Sequence, residues 1–222
     1  MTDAPANDNR AAAAPTLIYF ADPMCSWCWG FAPILEEVMG PGGAGTGLPL
    51  TIVVGGLRAY NTTAMDAEQK GYISGHWRNV AERSGQPFDL SFFERDGFVY
   101  DTEPACRAVV TVREQDPEHA PHMLKAIQAA FYRDNRDVTT AETLTAIAGE
   151  IGLDAEGFAA RFASDAIKAA TSHDFDVSRQ AGVKGFPTLI AGTPDQGFGL
   201  VTAGYTDAVT VSERIKAVRE AA

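Results

Sequence analysis

The sequence has few cysteines, few basic residues and no long apolar run. Among its 222 residues are 3 cysteines, and 18 lysines and arginines stand against 29 aspartates and glutamates. The formal net charge of −11 at pH 7 argues against a nucleic-acid or anionic-membrane surface, because both need clustered lysine and arginine. No apolar run approaches the length of a membrane span. We therefore predict neither nucleic-acid nor membrane partners.

The start of the chain lacks the features of a secretory signal. Residues 1–15 are polar and then alanine-rich, without the basic start and the long apolar stretch of such a signal. We expect a disordered N-terminal segment there, and a mature chain whose signal has been removed is the alternative. The expected compartment is the cytoplasm, where a dithiol usually stays reduced.

Two of the three cysteines, Cys25 and Cys28, form a Cys-x-x-Cys motif. The motif follows an apolar run at 17–20 and precedes a helical pattern that reaches Met39. The first turn of a helix offers unpaired N–H groups and the positive end of the helix dipole, which favour a thiolate. The spacing places both cysteines on one helix face, close enough for a low-strain disulfide. The motif therefore predicts thiol–disulfide exchange.

A zinc site and a structural disulfide are the alternatives for this motif. Structural zinc usually takes four ligands, whereas Cys106 stands alone and Pro121 interrupts the pair His119 and His122. A structural disulfide within the motif would close a very short loop and constrain little chain entropy. We therefore favour a redox-active pair that needs neither a metal nor a bound cofactor.

The order of predicted elements is typical of an α/β domain that carries an insertion. Residues 16–56 have a strand–helix–strand pattern, and the second strand, at 50–54, is apolar enough for burial on both faces. Residues 57–170 carry helical patterns and predict an inserted all-helical subdomain. Residues 171–222 continue with a helix, a β-hairpin and an amphipathic C-terminal helix.

Finer predictions concern the ends of these elements. Thr102, and Thr139 or Thr140, are candidate helix N-caps. The hairpin strands are expected at 186–190 and 198–203. The last helix, at 206–221, is expected to bury three aliphatic side chains: Val209, Ile215 and Val218.

Three segments resemble a known family. They are 22–30 (DPMCSWCWG), 102–108 (TEPACRA) and 182–188 (GVKGFPT). The chain resembles the DsbA family of thioredoxin-fold proteins from about residue 16 to the last helix. Its best local match is to the FrnE-like cytosolic branch, described as predicted protein-disulfide isomerases. The resemblance implies a thioredoxin-like α/β fold, in which a central mixed sheet is flanked by helices and carries the helical insertion.

The resemblance also implies roles for individual residues. Cys25 would attack a substrate disulfide as the thiolate, and Cys28 would resolve the mixed disulfide. The Phe186–Pro187 peptide would be cis and face the cysteines, so that the backbone of residue 186 can pair with an extended substrate. Four residues are expected to bind substrate: Ser26, Trp27, Phe186 and Pro187. The implied partners are client proteins or peptides, with glutathione or a thioredoxin-type reductant as the electron partner.

Further candidates surround the motif. Four aromatic residues are candidates for an apolar rim, although packing is favoured for Phe31 and exposure for Trp27: Trp27, Trp29, Phe31 and Phe186. The uncharged Ser26-Trp27 dipeptide, with Asp22 close by, predicts a moderate reductant or an isomerase and not a strong oxidant.

Five charged or thiol residues complete the set of candidates. Glu36 or Glu37 could take the proton of the resolving thiol, and Lys184 and Arg58 are weaker candidates for holding an anion. Cys106 is either a buried small side chain or a third redox thiol.

Two other classes of function stay open. Glutathione-dependent transferases and isomerases of the kappa and hydroxychromene-carboxylate type share the implied fold, although they usually lack the Cys-x-x-Cys motif. A redox-regulated peptide-binding chaperone is the other alternative, because the dithiol could act as a switch.

Overall fold

The computed structural model describes residues 14–221, which form a four-stranded mixed sheet flanked by eight α-helices. The strands are β1 (Thr16–Ala21), β2 (Leu50–Val54), β3 (Thr188–Thr193) and β4 (Gly197–Ala203). The helices are α1 (Ser26–Met39), α2 (Ala67–Ser84), α3 (Glu103–Arg113), α4 (Ala120–Tyr132), α5 (Ala141–Glu150), α6 (Ala155–Phe162), α7 (Asp165–Gln180) and α8 (Ala208–Ala221). Short 3₁₀ helices cover Leu90–Glu94 and Pro117–His119.

The sheet has the strand order β2-β1-β3-β4. Strand β1 pairs in parallel with β2, with Leu17 opposite Leu50, and antiparallel with β3, with Leu17 opposite Ala191. The parallel pair requires a crossover connection, which α1 supplies. Because β1 is a central strand, the segment that follows its C-terminal end places the Cys-x-x-Cys motif near the middle of that end of the sheet.

Helices α2 to α7 lie between β2 and β3 in the chain, where an all-helical insertion is expected. Asp66 begins α2 with a capping box, and Thr140 caps α5 by accepting a hydrogen bond from the Thr143 amide. Helix α7 crosses the predicted boundary at 170/171, because Ser164 caps it and sets its start at Asp165.

Aromatic side chains form the core of the helical insertion. Trp77 lies at their centre, with ring-centroid distances of 4.8 Å to Phe93, 4.9 Å to Tyr132 and 5.0 Å to Phe92. Tyr132 also stacks on Trp29 of α1, at 6.4 Å and nearly parallel. The aromatic core therefore continues from the insertion into the helix that follows the cysteines.

A buried ion pair ties the insertion to the sheet. Arg113 of α3 donates to the Ile52 carbonyl at 2.7 Å, and its other terminal nitrogen lies 3.1 Å from Asp174 Oδ1. Asp174 of α7 accepts from the Val54 amide at 2.9 Å. The two charged side chains, from α3 and α7, thus pair with each other and each hydrogen-bonds to the backbone of β2.

Three local predictions need correction. Strand β3 begins at Thr188, two residues later than predicted, and extends three residues beyond its predicted end to Thr193, because Thr193 pairs with Gly197 of β4. Val209 is not buried but 68% exposed, since α8 packs through Val211 and Ile215. Thr102 precedes α3 but makes no side-chain cap; its hydroxyl accepts from the Arg58 amide at 3.1 Å.

Two predictions concern the chain ends and the membrane. Most of the segment expected to be disordered, 1–15, lies outside the described residues. Within residues 14–221, every helix is too short or too polar to span a bilayer.

Candidate active site

Cys25 occupies the N-cap of α1, immediately after the turn that leaves β1. Its backbone is extended, and its amide donates to the Asp22 carbonyl at 3.0 Å. The first N–H groups of an α-helix generally lack intrahelical partners, although here the Cys28 amide donates to the Cys25 carbonyl at 3.0 Å. The Cys25 sulfur lies 3.5 Å from the Phe186 carbonyl oxygen. The first cysteine therefore lies at a helix terminus, against the loop before β3.

Cys28 lies one turn further into α1 and is closed off from solvent. It is 0% exposed, compared with 7% for Cys25, and both side chains are free thiols. Burial raises the pKa of the Cys28 thiol well above its ordinary value, and the neighbouring Cys25 and Asp22 charges raise it further. The two sulfurs therefore differ in accessibility, with Cys25 the one that a substrate can reach.

Asp22 is a buried carboxylate directly before the motif. It accepts hydrogen bonds from the Met24 amide at 2.8 Å and the Leu57 amide at 2.7 Å. Burial raises its pKa, although these hydrogen bonds oppose the shift. Asp22 therefore fixes the turn that leads from β1 into the motif and joins it to the loop after β2.

Cys106 reaches this same carboxylate from α3. Its sulfur donates to Asp22 Oδ2 at 3.4 Å, and it is fully buried, as expected of a small core side chain. Burial and the Asp22 charge raise the pKa of the Cys106 thiol well above its ordinary value. The contact joins residues 84 positions apart, and no sequence pattern signals it.

The dipeptide between the cysteines is half-buried. The Trp27 ring packs against Tyr205, with centroids 5.5 Å apart, and the Arg83 guanidinium lies 5.6 Å from the Tyr205 ring centroid. Ser26 is partly exposed beside them. Sequence reasoning missed Tyr205 and Arg83, because neither belongs to a motif.

The loop before β3 supplies the other side of the site. The Phe186–Pro187 peptide bond is cis, as the family resemblance implies. Phe186 is half-buried and its ring covers Gly55, where an added Cβ would lie 1.9 Å from the ring. Pro187 is buried, and its carbonyl accepts from the Gly204 amide at 2.7 Å. The Phe186 carbonyl is thus the one that faces Cys25.

Two of the four candidate rim aromatics belong to the core instead. Phe31 is fully buried, in line with the preference for packing. Trp29 is also buried, and its indole N–H donates to the Pro87 carbonyl at 3.1 Å. Only Trp27 and Phe186 therefore remain at the partly exposed surface around Cys25.

The charged candidates lie away from the buried sulfur. Glu36 and Glu37 are exposed on the solvated face of α1, and Glu36 forms an ion pair with Lys125, so neither is a partly buried carboxylate that could take the proton of Cys28. Lys184 is exposed. Arg58 lies over the Tyr100 ring, 5.3 Å from its centroid. Asp22 is the carboxylate that the fold buries beside the motif.

An apolar cleft adjoins Phe186. It has a volume of about 660 Å³ and lies along the loop before β3 and the outer face of β4. Two large apolar side chains of the edge strand line it while exposed to solvent, Phe198 at 40% and Leu200 at 61%. Exposed apolar surface of this kind is typical of sites that receive peptides or proteins.

Metal-ligating residues do not cluster in the part of the chain that the structure describes. Among residues 14–221, no group of three or more histidines, cysteines, aspartates or glutamates is arranged to hold an ion. The His119 ring pairs with Asp116 at 2.7 Å on the surface.

Comparisons with known proteins agree with this architecture. The model of the Thioredoxin family matches residues 19–211. A solved structure from Nitrosomonas europaea, described as a putative protein disulfide isomerase, superposes with a TM-score of 0.85 at 36% identity, covering 92% of this chain and 97% of that one. The cytosolic disulfide reductase DsbM of Pseudomonas aeruginosa, solved with GSH, gives a TM-score of 0.70 at 27% identity and covers 92% and 96%. The predicted thioredoxin-like fold is therefore confirmed.

Curated relatives are more distant and longer. The chain is 26% identical over 193 residues to the ClpXP adapter protein SpxH of Halalkalibacterium halodurans, a match that covers 85% of this chain. The chain spans 62% of the length of that protein.

Proposed function

The chain belongs to the Thioredoxin family, and from this and the site geometry we propose that it is a thiol–disulfide oxidoreductase that acts on disulfides of proteins or peptides. One observation carries the proposal. Cys25 lies at a helix N-terminus with its sulfur beside the Phe186 carbonyl, while Cys28 is buried one turn further along. An accessible sulfur backed by a buried one is the arrangement that a two-step exchange requires.

In the first step Cys25 attacks as the thiolate. It forms a bond to one sulfur of the substrate disulfide, and the substrate S–S bond breaks, so that the other substrate sulfur leaves as a thiolate. The unpaired N–H groups and the dipole at the start of α1 stabilise the negative charge on the attacking sulfur. The Phe186 backbone, 3.5 Å from that sulfur, is placed to pair with the substrate segment.

In the second step Cys28 resolves the mixed disulfide. Its thiol gives up a proton, which the departed substrate thiolate accepts, and its sulfur attacks Cys25. The bond to substrate breaks and its second sulfur leaves as a thiolate, which takes a proton from water, so that the protein now holds a Cys25–Cys28 disulfide and the substrate holds two thiols. Two electrons have moved from protein to substrate, and a small thiol or a thioredoxin-type reductant must restore the dithiol.

The surroundings of Cys25 favour peptide substrates. Ser26, Trp27 and Phe186 offer a partly exposed polar and apolar surface, and the cleft with Phe198 and Leu200 continues it along the edge strand. An extended segment with apolar side chains fits such a surface. In this proposal the buried Pro187 contributes by fixing the position of the Phe186 carbonyl.

Comparison and sequence together support a reducing or isomerising direction. DsbM is a cytosolic disulfide reductase solved with GSH, and the Ser26-Trp27 dipeptide carries no charge that would further stabilise a thiolate. We extend the proposal to a cytoplasmic enzyme of the FrnE-like branch, with glutathione as an electron partner. The intact pair of cysteines favours this chemistry over a glutathione transferase, which needs no protein dithiol.

Cysteine variants test the proposal with a fluorogenic peptide that contains one disulfide, and with glutathione as reductant. We expect Cys25→Ser to abolish turnover, because the attacking sulfur is gone. Cys28→Ser should accumulate a mixed disulfide between Cys25 and the peptide, visible by mass spectrometry under non-reducing conditions. Cys106→Ser should retain turnover, since that thiol is buried against Asp22.

The same assay can contradict the proposal. Turnover that persists in Cys25→Ser would exclude Cys25 as the attacking group and favour glutathione as the carrier of the chemistry. A mixed disulfide on Cys106 would assign the exchange to the third thiol.

A further inference from the structure

A second cavity begins at Cys28 and follows α1 away from the motif. It has a volume of about 1000 Å³ and separates α1 from α4. The α1 wall is one stripe of the helix, at positions spaced by three, four and seven residues: Cys28, Ala32, Leu35, Glu36 and Met39. The α4 wall is the facing stripe: Pro121, His122, Leu124, Lys125 and Gln128. Residues 47–51, before and within β2, close one end.

Two buried polar atoms in this cavity have no hydrogen-bond partner within residues 14–221. They are the Tyr19 hydroxyl and the Gln128 amide nitrogen, and both residues are only 1% exposed. The hydroxyl lies beside the Cys28 thiol. A buried polar group that stays unpaired costs about 1–3 kcal/mol, so native proteins usually give such groups a partner.

The rest of the lining is mostly apolar. Ala32, Leu35 and Leu124 contribute aliphatic surface between the two stripes, and Leu48 and Leu50 add to it from the side of β2. At the rim, the exposed Lys125–Glu36 ion pair joins α4 to α1. The cavity therefore combines an apolar body, a polar inner end and a charged rim, which is the usual composition of a small-molecule site.

The two donors at the polar inner end favour a ligand group that accepts hydrogen bonds and carries no charge. Burial and the neighbouring cysteines raise the pKa of Tyr19, so its hydroxyl keeps its proton and donates. The Gln128 amide nitrogen is also a donor. Two residues of the lining can carry a positive charge, His122 and Lys125, and both are exposed. Lys125 is also paired with Glu36, so a buried anion would find no compensating charge at the inner end.

We propose that this cavity is a binding site for a small, neutral and mostly apolar molecule whose carbonyl oxygen accepts hydrogen bonds from Tyr19 and Gln128. The cavity reaches the motif at Cys28, but Cys25, Trp27 and Phe186 do not line it. The site goes beyond the proposed function and does not depend on the direction of the redox reaction.

Calorimetric titration with a matched pair of probes tests this site. The probe is 2-acetonaphthone, an aryl ketone, and the control is 2-ethylnaphthalene, which has the same shape without the carbonyl. We expect the full-length protein to bind the ketone more tightly. Tyr19→Phe and Gln128→Met should each weaken ketone binding about 3- to 10-fold, the value of one hydrogen bond. Neither variant should change the affinity for the hydrocarbon.

Stability and blocking variants complete the test. Tyr19→Phe and Gln128→Met should leave the urea midpoint unchanged or raised, because each removes an unpaired buried group. Tyr60→Phe, at an exposed tyrosine, is the control and should bind both probes as the parent does. Ala32→Leu, if its urea midpoint shows a folded protein, should weaken both probes by filling the cavity.

Three results would overturn the proposal. The first is no binding of the ketone by the folded parent protein. The second is ketone affinity that Tyr19→Phe and Gln128→Met leave unchanged, which would show that neither donor contacts the carbonyl. The third is a marked loss of stability in both variants, which would show that their polar atoms already have partners inside the fold.

Discussion

Cys25 and Cys28 are only three positions apart, yet the fold gives them different environments. Cys25 ends the turn from β1 and is slightly exposed next to the half-buried Ser26, whereas Cys28 faces the core and is fully buried. The difference follows from helix geometry, because one turn of α-helix carries a side chain about 5 Å along the axis. The roles of attacking and resolving thiol rest on this difference.

The Asp22 carboxylate gives a pH prediction at the scale of a residue. Its pKa is raised above the ordinary value of 3.8, so the folded protein binds this proton more tightly than the unfolded chain does. Below 3.8 both states are protonated and the group contributes nothing. As pH rises from there through the raised pKa, ionisation destabilises the fold. The unfolding free energy of the parent, relative to Asp22→Asn, should therefore fall with rising pH.

Urea unfolding across a pH series measures this difference, and Asp89→Asn is the matched control. Hydrogen bonds from Ser91 lower the pKa of Asp89, so its stabilisation is present above 3.8 and is lost as pH falls through the lowered pKa. The two variants should show opposite slopes. A parent-to-Asp22→Asn difference that does not vary with pH would contradict the burial argument.

At the scale of elements, the end of β2 positions the loop before β3. The Phe186 ring lies directly on Gly55, where a methyl group would overlap the ring. Gly55→Ala should displace Phe186 and with it the carbonyl beside Cys25. We expect a fall in peptide-disulfide turnover of about 10- to 100-fold, the usual effect of misplacing a positioned group.

Gly71→Ala is the control for that substitution. Gly71 lies on the exposed side of α2, with no atom near an added Cβ. The change should stabilise the protein by about 0.5–1 kcal/mol through helix propensity, measured by urea unfolding, and leave turnover as it is. Unchanged turnover in Gly55→Ala would show that Phe186 does not position the substrate.

Local sequence predicted some elements well and others poorly, for physical reasons. Strand β2 has its predicted bounds, because a short, almost continuous apolar run that is followed by two glycines is typical of a buried strand. The buried side of α8 was misassigned at Val209, because periodicity near a helix start does not say which turn meets the sheet. The Asp22–Cys106 contact depends on how α3 packs against the turn after β1, which no local pattern encodes.

At the scale of the whole molecule, the buried pair Arg113–Asp174 should make insertion and sheet unfold together. Asp174→Ala would leave the Arg113 charge with only the exposed Glu114 as a partner and the Val54 amide without its acceptor. Breaking a buried pair in this way costs about 3–5 kcal/mol. Urea unfolding, followed by both circular dichroism and tryptophan fluorescence, should show this loss in a single transition.

Asp176→Ala is the comparison on the same helix. Asp176 pairs with Arg179 on the surface, where an ion pair contributes about 0–1 kcal/mol. Equal losses in the two variants would contradict the structural role of the buried pair. Separate transitions for the two probes in the parent protein would show that insertion and sheet fold independently.

The order of elements was predictable across the whole chain, while the assembly of the site was not. The Cys-x-x-Cys motif and the Phe186–Pro187 segment were recognisable in sequence, although 161 positions separate Cys25 from Phe186. The cavity between α1 and α4 was not, because its two donors, Tyr19 and Gln128, look like ordinary core positions in the sequence.

The reduction potential of the Cys25–Cys28 couple tests the central claim most directly. Equilibration with glutathione buffers, followed by tryptophan fluorescence and by the mass of the trapped protein, should give one two-electron transition near the thioredoxin value of about −270 mV. The transition should disappear in Cys25→Ser and in Cys28→Ser and persist in Cys106→Ser. Absence of any transition in the parent protein, or one that survives the loss of Cys28, would contradict the account.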